Sequence, residues 1–319
     1  MKKFFFLMAL LAVSTVTFAD VVEIDDVYYN LDTKNMTATV VSHPNGYSGN
    51  VDIPRGVPYE GEEYQVTSIG DDAFRNCDKL TSVYISEGIT SISPYAFYNC
   101  VSLSEVELPT SIYYIGIYSF AQAKNLKSVK FGNGIKTIGA YAFMDCVSLK
   151  TISFPNSVEN IVEGAMFGCS SLESVTLSER LTKLSDYVFS SCRSLTSIKI
   201  PGSVNKIGRN VFSYCNGLKD IYCYAKQVPA ADINAFYRLF LDDITLHVPE
   251  ASIDEYRATE PWNSFKNVLP MTDTGISVDT VEKDIDAVYD LGGKIVSDGQ
   301  KGIKIIKFTD GTTKKLIER

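Results

Sequence analysis

A 23-residue period constrains this chain more than any other feature. Leu80, Leu103, Leu126, Leu149, Leu172, Leu195 and Leu218 form one column without an exception. Phe74, Phe97, Phe120, Phe143, Met166, Phe189 and Phe212 form a second, and Ile69, Ile92, Ile115, Ile138, Ile161, Leu184 and Ile207 a third. A fourth runs Val83, Val106, Val129, Ile152, Val175, Ile198 and Ile221, and six of the seven cysteines (Cys77, Cys100, Cys146, Cys169, Cys192 and Cys215) make a fifth, with Ala123 at the missing step. A unit this short cannot fold alone. About six inward apolar side chains supply on the order of 12 kcal/mol gross at about 2 kcal/mol each. Ordering the backbone costs ~1–2 kcal/mol per residue, which is more. Neighbouring units must stack and share both core and backbone hydrogen bonds, so the chain is a quasi-one-dimensional solenoid.

Within a unit, Leu80-Thr81-Ser82-Val83-Tyr84-Ile85 alternates at its end and reads as a short strand. Stacked copies predict a parallel sheet with ~4.8 Å between coils. Pro109, Pro155 and Pro201 follow three of these strands and force a corner. A second extended piece follows, such as Ile89 to Ile92. The segment from Gly70 to Cys77 then predicts a turn with a one-turn helix, with glycines at 70, 116, 139 and 208 easing the bend.

The pattern Ile69-Gly70-x-x-Ala73-Phe74-x-x-Cys77-x-x-Leu80-x-Ser82-Val83, repeated through Ile221, resembles the BspA-like family of bacterial leucine-rich repeats, the Treponema pallidum type. The resemblance implies a β-rich leucine-rich-repeat stack with short parallel strands and one-turn helices, capped at both ends. Seven regular coils and a degenerate eighth occupy 66–249; the eighth is aligned by placing Ile244 and Leu246 one period after Ile221 and Cys223. Bare solenoid ends expose core and strand edges, so caps are expected at 20–65 and 250–270. In the first, Val27–Leu31 and Met36–Val41 suggest a hairpin; in the second, Ser252-x-x-x-Tyr256 and Trp262-x-x-Phe265 stand out.

Residues 271–284 read as a polar linker, and 285–319 as a small β tail with one hairpin formed by Ala287–Leu291 and Gly292–Val296 and another across Asp310-Gly311. This tail resembles a truncated sorting region of type IX-secreted proteins, and Asp279-Thr280-Val281 a short O-glycosylation motif. At the other end, Lys2 and Lys3, the apolar run Phe4–Val13 and Thr17-Phe18-Ala19 make a signal peptide over 1–19, cleaved near Ala19. The product is expected outside the cytoplasm, secreted or at the cell surface, with a periplasmic address as the alternative. No later run is long and apolar enough to span a bilayer.

Charge narrows the partners. Without Lys2 and Lys3 the net charge falls from −8 to −10, which disfavours nucleic acids and anionic lipid surfaces. The two histidines, His43 and His247, lie in cap-like segments and suggest neither a nucleophile pair nor a metal site. No phosphate-cradling glycine motif precedes a helix, and a stacked coil offers no cleft for a pair of catalytic carboxylates. No enzyme, metal or cofactor is implied. The cysteines recur once per coil where alanine also serves, which favours a ladder of buried thiols; bridges between adjacent coils are the alternative.

What remains is surface. The outward strand column carries Tyr84, Glu107, Lys130, Ser153, Thr176, Lys199, Tyr222 and Thr245. A turn column carries Asp72, Tyr95, Tyr118, Tyr141, Gly164, Tyr187 and Asn210, with four tyrosines in a row broken at Gly164. Rings at one coil position either contact a partner or stack on one another. The family resemblance implies an adhesin-like binder of extracellular matrix or bacterial surface proteins, and the chain is expected to be a monomer. A carbohydrate-binding accessory protein using the tyrosine row is the alternative, weakened by the presence of a single tryptophan.

Overall fold

In the computed structural model, residues 21–271 are described throughout, together with the backbone of Ile285–Asp290, Gly302–Phe308 and Thr313–Glu318. The signal peptide, the linker from 272, the Asp279–Val281 motif and Gly292–Val296 lie outside the described residues. The chain divides into two compact units, Met1–Asp273 and Thr274–Arg319.

The first unit is a solenoid with two short strands per coil. Outer strands such as Glu105–Glu107, Thr151–Ser153 and Ser174–Thr176 bury their central residue and expose the two flanking ones, and Ser128–Lys130 does the same with Val129 half-buried. They pair in parallel at one-coil offsets, Val106 with Val129 and Ile152 with Val175. Inner strands of two residues do the same, aligning Ile92, Ile115, Ile138 and Ile161 in one row.

The turn segment differs from the expected helical turn. Ala73, Arg75 and Cys77 donate their N–H groups three residues back, to Gly70, Asp72 and Phe74. Asp72, Phe74 and Asn76, in between, donate to the next coil, at Pro94, Ala96 and Tyr98. Two residues per coil adopt left-handed φ to permit this alternation: Asp72, Tyr95, Tyr118, Tyr141, Gly164, Tyr187 and Asn210 at one position, and Asn76, Asn99, Gln122, Asp145, Gly168, Ser191 and Tyr214 at the other. A helix would turn all these N–H groups inward on its own axis and leave nothing to join the coils. Glycines 70, 116 and 139 serve close approach rather than bending. A Cβ would lie 2.5 Å from the Ser93 carbonyl carbon at Gly116 and 2.7 Å from the Gly116 carbonyl carbon at Gly139.

The core is a row of rings. Phe74, Phe97, Phe120 and Phe143 stack at 4.8, 5.0 and 5.3 Å with interplanar angles of 6° or less. Met166 interrupts the row, and Phe189, Phe212 and Phe236 resume it. Tyr47 closes the front at 4.4 Å from Phe74, held by its hydroxyl donating to the Val41 carbonyl. Around it, Val27–Asp32 and Thr37–Val40 form an antiparallel hairpin, with Val21–Ile24 on its outer side. At the rear, Trp262 and Phe265 meet Phe236 edge-on, and Trp262 Nε1 donates to the Pro229 carbonyl. The helix Ile253–Ala258 buries Tyr256, whose hydroxyl donates to the Ala225 carbonyl.

The eighth coil departs from the 23-residue spacing. Ile221 pairs with Leu246 and Tyr222 with His247, an offset of 25, so His247 rather than Thr245 continues the outward column. In the second unit, Ile285–Asp290 pairs antiparallel with Gly302–Phe308, with Tyr289 opposite Ile305. Gly302–Phe308 pairs in turn with Thr313–Glu318, as the Asp310-Gly311 turn implies.

All seven cysteines are free and buried. Each thiol of the ladder after the first donates to a carbonyl in the preceding coil: Cys100 to Phe74 at 3.0 Å, Cys146 to Phe120 at 3.2 Å, Cys169 to Phe143 at 3.1 Å, Cys192 to Met166 at 3.3 Å and Cys215 to Phe189 at 3.0 Å. Burial pushes the thiols of Cys169 and Cys215 up to about 12. Two outcomes are expected. A thiol reagent at pH 8 should label the ladder only after unfolding, whereas fast native labelling would place the thiols at the surface. Because the folded-state values lie above the ordinary ~8.5, the unfolded chain releases protons first, and denaturant midpoints should fall as pH rises from about 9 to 11. Separately, Phe120→Ala should cost about 3–5 kcal/mol by urea unfolding, since both faces of its ring are stacked.

Candidate recognition surface

Two outward faces carry the residues that the repeat leaves free to vary. On the outer-strand face, the column reads Asp52, Tyr84, Glu107, Lys130, Ser153, Thr176, Lys199, Tyr222, His247 and Leu269 from front to rear. Tyr84 is 64% exposed. Glu107 and Lys130 face each other across one coil step at 2.6 Å, so two of the expected contact residues neutralise one another. Lys199 has no ion-pair partner among the described residues. Tyr222 stacks flat on His247 at 4.3 Å, and His247 Nε2 lies 2.8 Å from Asp220 Oδ1. His43, at the front, accepts from the Asn45 N–H and packs between Tyr28 and Tyr47. Among the described residues no cluster of three His, Cys, Asp or Glu is arranged to hold a metal.

The turn face is aromatic. Tyr95, Tyr118 and Tyr141 stack at 5.1 and 5.0 Å with interplanar angles of 15° and 9°. The ladder is closed at both ends. The Arg75 guanidinium lies 5.0 Å above the Tyr95 ring, and a Cβ on Gly164 would collide with the Tyr141 ring, which covers that glycine. The expected row of four is therefore three stacked rings, with Tyr187 standing apart under Arg209 at 5.3 Å. No ring face of the ladder remains open for a sugar; edges and hydroxyls face outward. The Tyr141 hydroxyl donates to Glu163 at 2.8 Å, and burial together with that bond raises its proton affinity to about 12.

Sequence reasoning missed the arginines. Arg75 also lies 5.0 Å over Tyr98, and Arg238 lies 5.3 Å over Tyr237, which meets Tyr214 edge-on at 6.3 Å. Phe240 nearby in sequence is 81% exposed. The readable signal was Arg75 one period of 23 before Tyr98, and Arg209 22 residues after Tyr187, at a neighbouring turn position of the next coil.

The model of the BspA type leucine rich repeat region matches in six copies across residues 62–165 and 136–257, more than half of the chain. The chain belongs to the BspA-type leucine-rich-repeat family. It is similar in structure to the leucine-rich-repeat protein of T. pallidum, at 28% identity and a TM-score of 0.54 over 60% of this chain and 86% of that one. It is also similar to a leucine-rich-repeat protein from Eubacterium ventriosum ATCC 27560, at 25% identity and a TM-score of 0.53 over 63% of this chain and 50% of that one. No curated protein sequence matches it.

The ladder's stacking has a measurable consequence. Tyr118→Ala should lower stability by about 1–3 kcal/mol in urea unfolding, because it removes two ring–ring contacts at ~0.5–1.5 kcal/mol each. Tyr84→Ala, an exposed ring with no aromatic neighbour among the described residues, should change stability by less than about 0.5 kcal/mol. Equal effects would deny the ladder a structural role.

Proposed function

We propose that this chain is an exported, adhesin-like recognition protein that seats an extracellular protein on the tyrosine–arginine face of its turns. Repeat proteins of the BspA type are typically protein-binding surface proteins and non-enzymatic scaffolds, and no helix among the described residues is long and apolar enough to cross a membrane. The signal-peptide pattern at 1–19 supports an extracytoplasmic address.

The observation that carries the reading is the repeated pairing of arginine with tyrosine at three points along one face: Arg75 with the half-buried Tyr95 and Tyr98, Arg209 with the half-buried Tyr187, and Arg238 with the exposed Tyr237. Tyrosine and arginine dominate the energetics of protein interfaces. Here each guanidinium is held by a ring before any partner arrives, which lowers the side-chain entropy lost on binding. The closed ladder argues against sugar stacking on the tyrosines.

The test is binding of the purified chain to an array of immobilised matrix proteins and bacterial surface proteins. Arg75→Ala with Arg209→Ala and Arg238→Ala, all exposed positions, should weaken a saturable interaction at least about tenfold, or 1.4 kcal/mol. Lys130→Glu should shift it less than about threefold. The reverse ranking would move the contact to the strand column, and an array with no binding would remove the adhesin reading.

A further inference from the structure

The chain's charge is segregated along the solenoid. Residues 21–115 hold four Lys and Arg against fourteen Asp and Glu, a net of −10. Residues 116–240 hold fourteen against eight, a net of +6. A protein of net charge −8 therefore carries a basic middle, and part of that excess lies on or immediately before the outer strands, at Lys127, Lys130, Lys150, Lys199 and Lys219, all exposed.

Between these lysines the face is built from small hydroxyls. Ser128, Thr151, Ser174 and Ser197 form one exposed column of the strands, and Ser153 and Thr176 sit beside them in the next. Lys127, Ser148, Lys150 and Ser171 line a shallow groove of about 300 Å³. From Lys127 to Lys219 is four coils, or ~19 Å at the spacing of paired strands. Lys127, Lys199 and Lys219 have no ion-pair partner among the described residues. Lys130 and Lys150 are paired with Glu107 and Glu173 at the exposed surface, where such pairs are weak and easily exchanged.

We infer that this lysine- and hydroxyl-lined strand face binds an extended anionic polysaccharide, one bearing uronate or sulfate groups. The chemistry separates this ligand from other classes. A protein partner needs buried aromatic or aliphatic anchors, and serine and lysine are depleted from such interfaces. None of the exposed outer-strand residues from Lys127 to Lys199 is aromatic or aliphatic. A nucleic acid is a denser polyanion that the acidic front repels, and on the strands from Lys127 to Lys199 bases would find no exposed ring to stack on. A polysaccharide matches both elements: its acid groups meet spaced ammonium groups, and its hydroxyls exchange hydrogen bonds with the serine and threonine rows. Recognition is by charge and hydroxyl, separate from the protein-binding face of the turns.

The test passes the full chain over immobilised heparin (sulfate and uronate), polygalacturonate (uronate only), a neutral glucan, polyglutamate and duplex DNA. Retention on heparin or polygalacturonate, weakening steeply with salt, is expected, with the difference between those two assigning sulfate or carboxylate as the preferred acid. The triple variant Lys127→Ser, Lys150→Ser and Lys199→Ser should lose at least about tenfold in affinity. It should keep its fold, since Ser104 and Thr196 occupy the Lys127 and Lys150 column and Ser153 that of Lys199; an unchanged urea midpoint checks this. The triple arginine variant should bind the polysaccharide normally, so loss of either interaction is read separately. The inference is overturned by no retention on either acidic polymer, by an unaffected lysine variant, or by tighter binding to polyglutamate or DNA.

Discussion

Coil-to-coil pairing of the backbone on the turn side is the constraint on which the rest of this structure depends. On the strand side, extended residues point their N–H and C=O groups along the solenoid axis without special arrangement. The opposite wall must reverse direction within about eight residues, and a helical or simple turn would keep its polar groups to itself. Alternating left-handed residues resolve the conflict: every second N–H is released to the next coil. Left-handed φ costs ~1 kcal/mol or more at a residue other than glycine, asparagine or aspartate. That cost is incurred at Tyr95, Tyr118, Tyr141 and Tyr187, and the bond each of their N–H groups makes to the next coil, at 2.9 Å in all four, offsets it, with ring stacking adding to this at the first three.

The same constraint orders the core. Once every coil is bonded to the next on both walls, side chains at one position are held in register, and rings at that position have no choice but to stack. A stack must end somewhere, and each end of this one is met by a ring from outside the repeat. Tyr47 covers Phe74 and receives its backbone anchor from the Cys77 thiol region, its own N–H lying 3.2 Å from Sγ. Trp262 and Phe265 turn edge-on to Phe236, which stops the stack from being extended by another parallel ring. Tyr256 ties the rear helix to Cys223 and Ala225, so the Ala225 carbonyl is satisfied beneath the cover.

The columns of inward residues were legible because burial tolerates so little variation: Leu80 through Leu218 and the phenylalanine row could be placed without coordinates. The left-handed positions were legible in principle. Asp72, Gly164 and Asn210 share a column with four tyrosines, and Asn76, Asn99, Asp145 and Gly168 share another; aspartate, asparagine and glycine are the residues that tolerate positive φ. Reading Gly164 as a gap in a tyrosine row hid that signal. Fixed spacing failed where its physical basis lapsed. Two extra residues between Ile221 and Leu246 shifted the last coil, because only the strand pairing, not the length of the connecting turn, is held constant. Of the arginines over tyrosine rings, Arg75 and Tyr98 stand one period apart and were within reach of the repeat, whereas Arg75 with Tyr95 and Arg209 with Tyr187 join different coil positions that the period does not align.

A solenoid separates stability from recognition more cleanly than a globular domain does, since inward columns answer only to packing and outward ones only to solvent or partners. The consequence here is a division of chemistry among surfaces. Tyrosine and arginine collect on the turn face, where left-handed backbone and ring stacking hold them in fixed positions. Lysine, serine and threonine collect on the strand face, where side chains stand outward in rows at the spacing of the sheet. Rigid aromatic groups suit a shaped protein surface, and flexible ammonium groups over small hydroxyls suit a repeating polymer. The charge division between residues 21–115 and 116–240 then sets where along the axis a polyanion can lie, because its ends are turned away from the acidic front coils. A single stack of coils can thus hold two unlike ligands without either site competing for the residues that keep the fold.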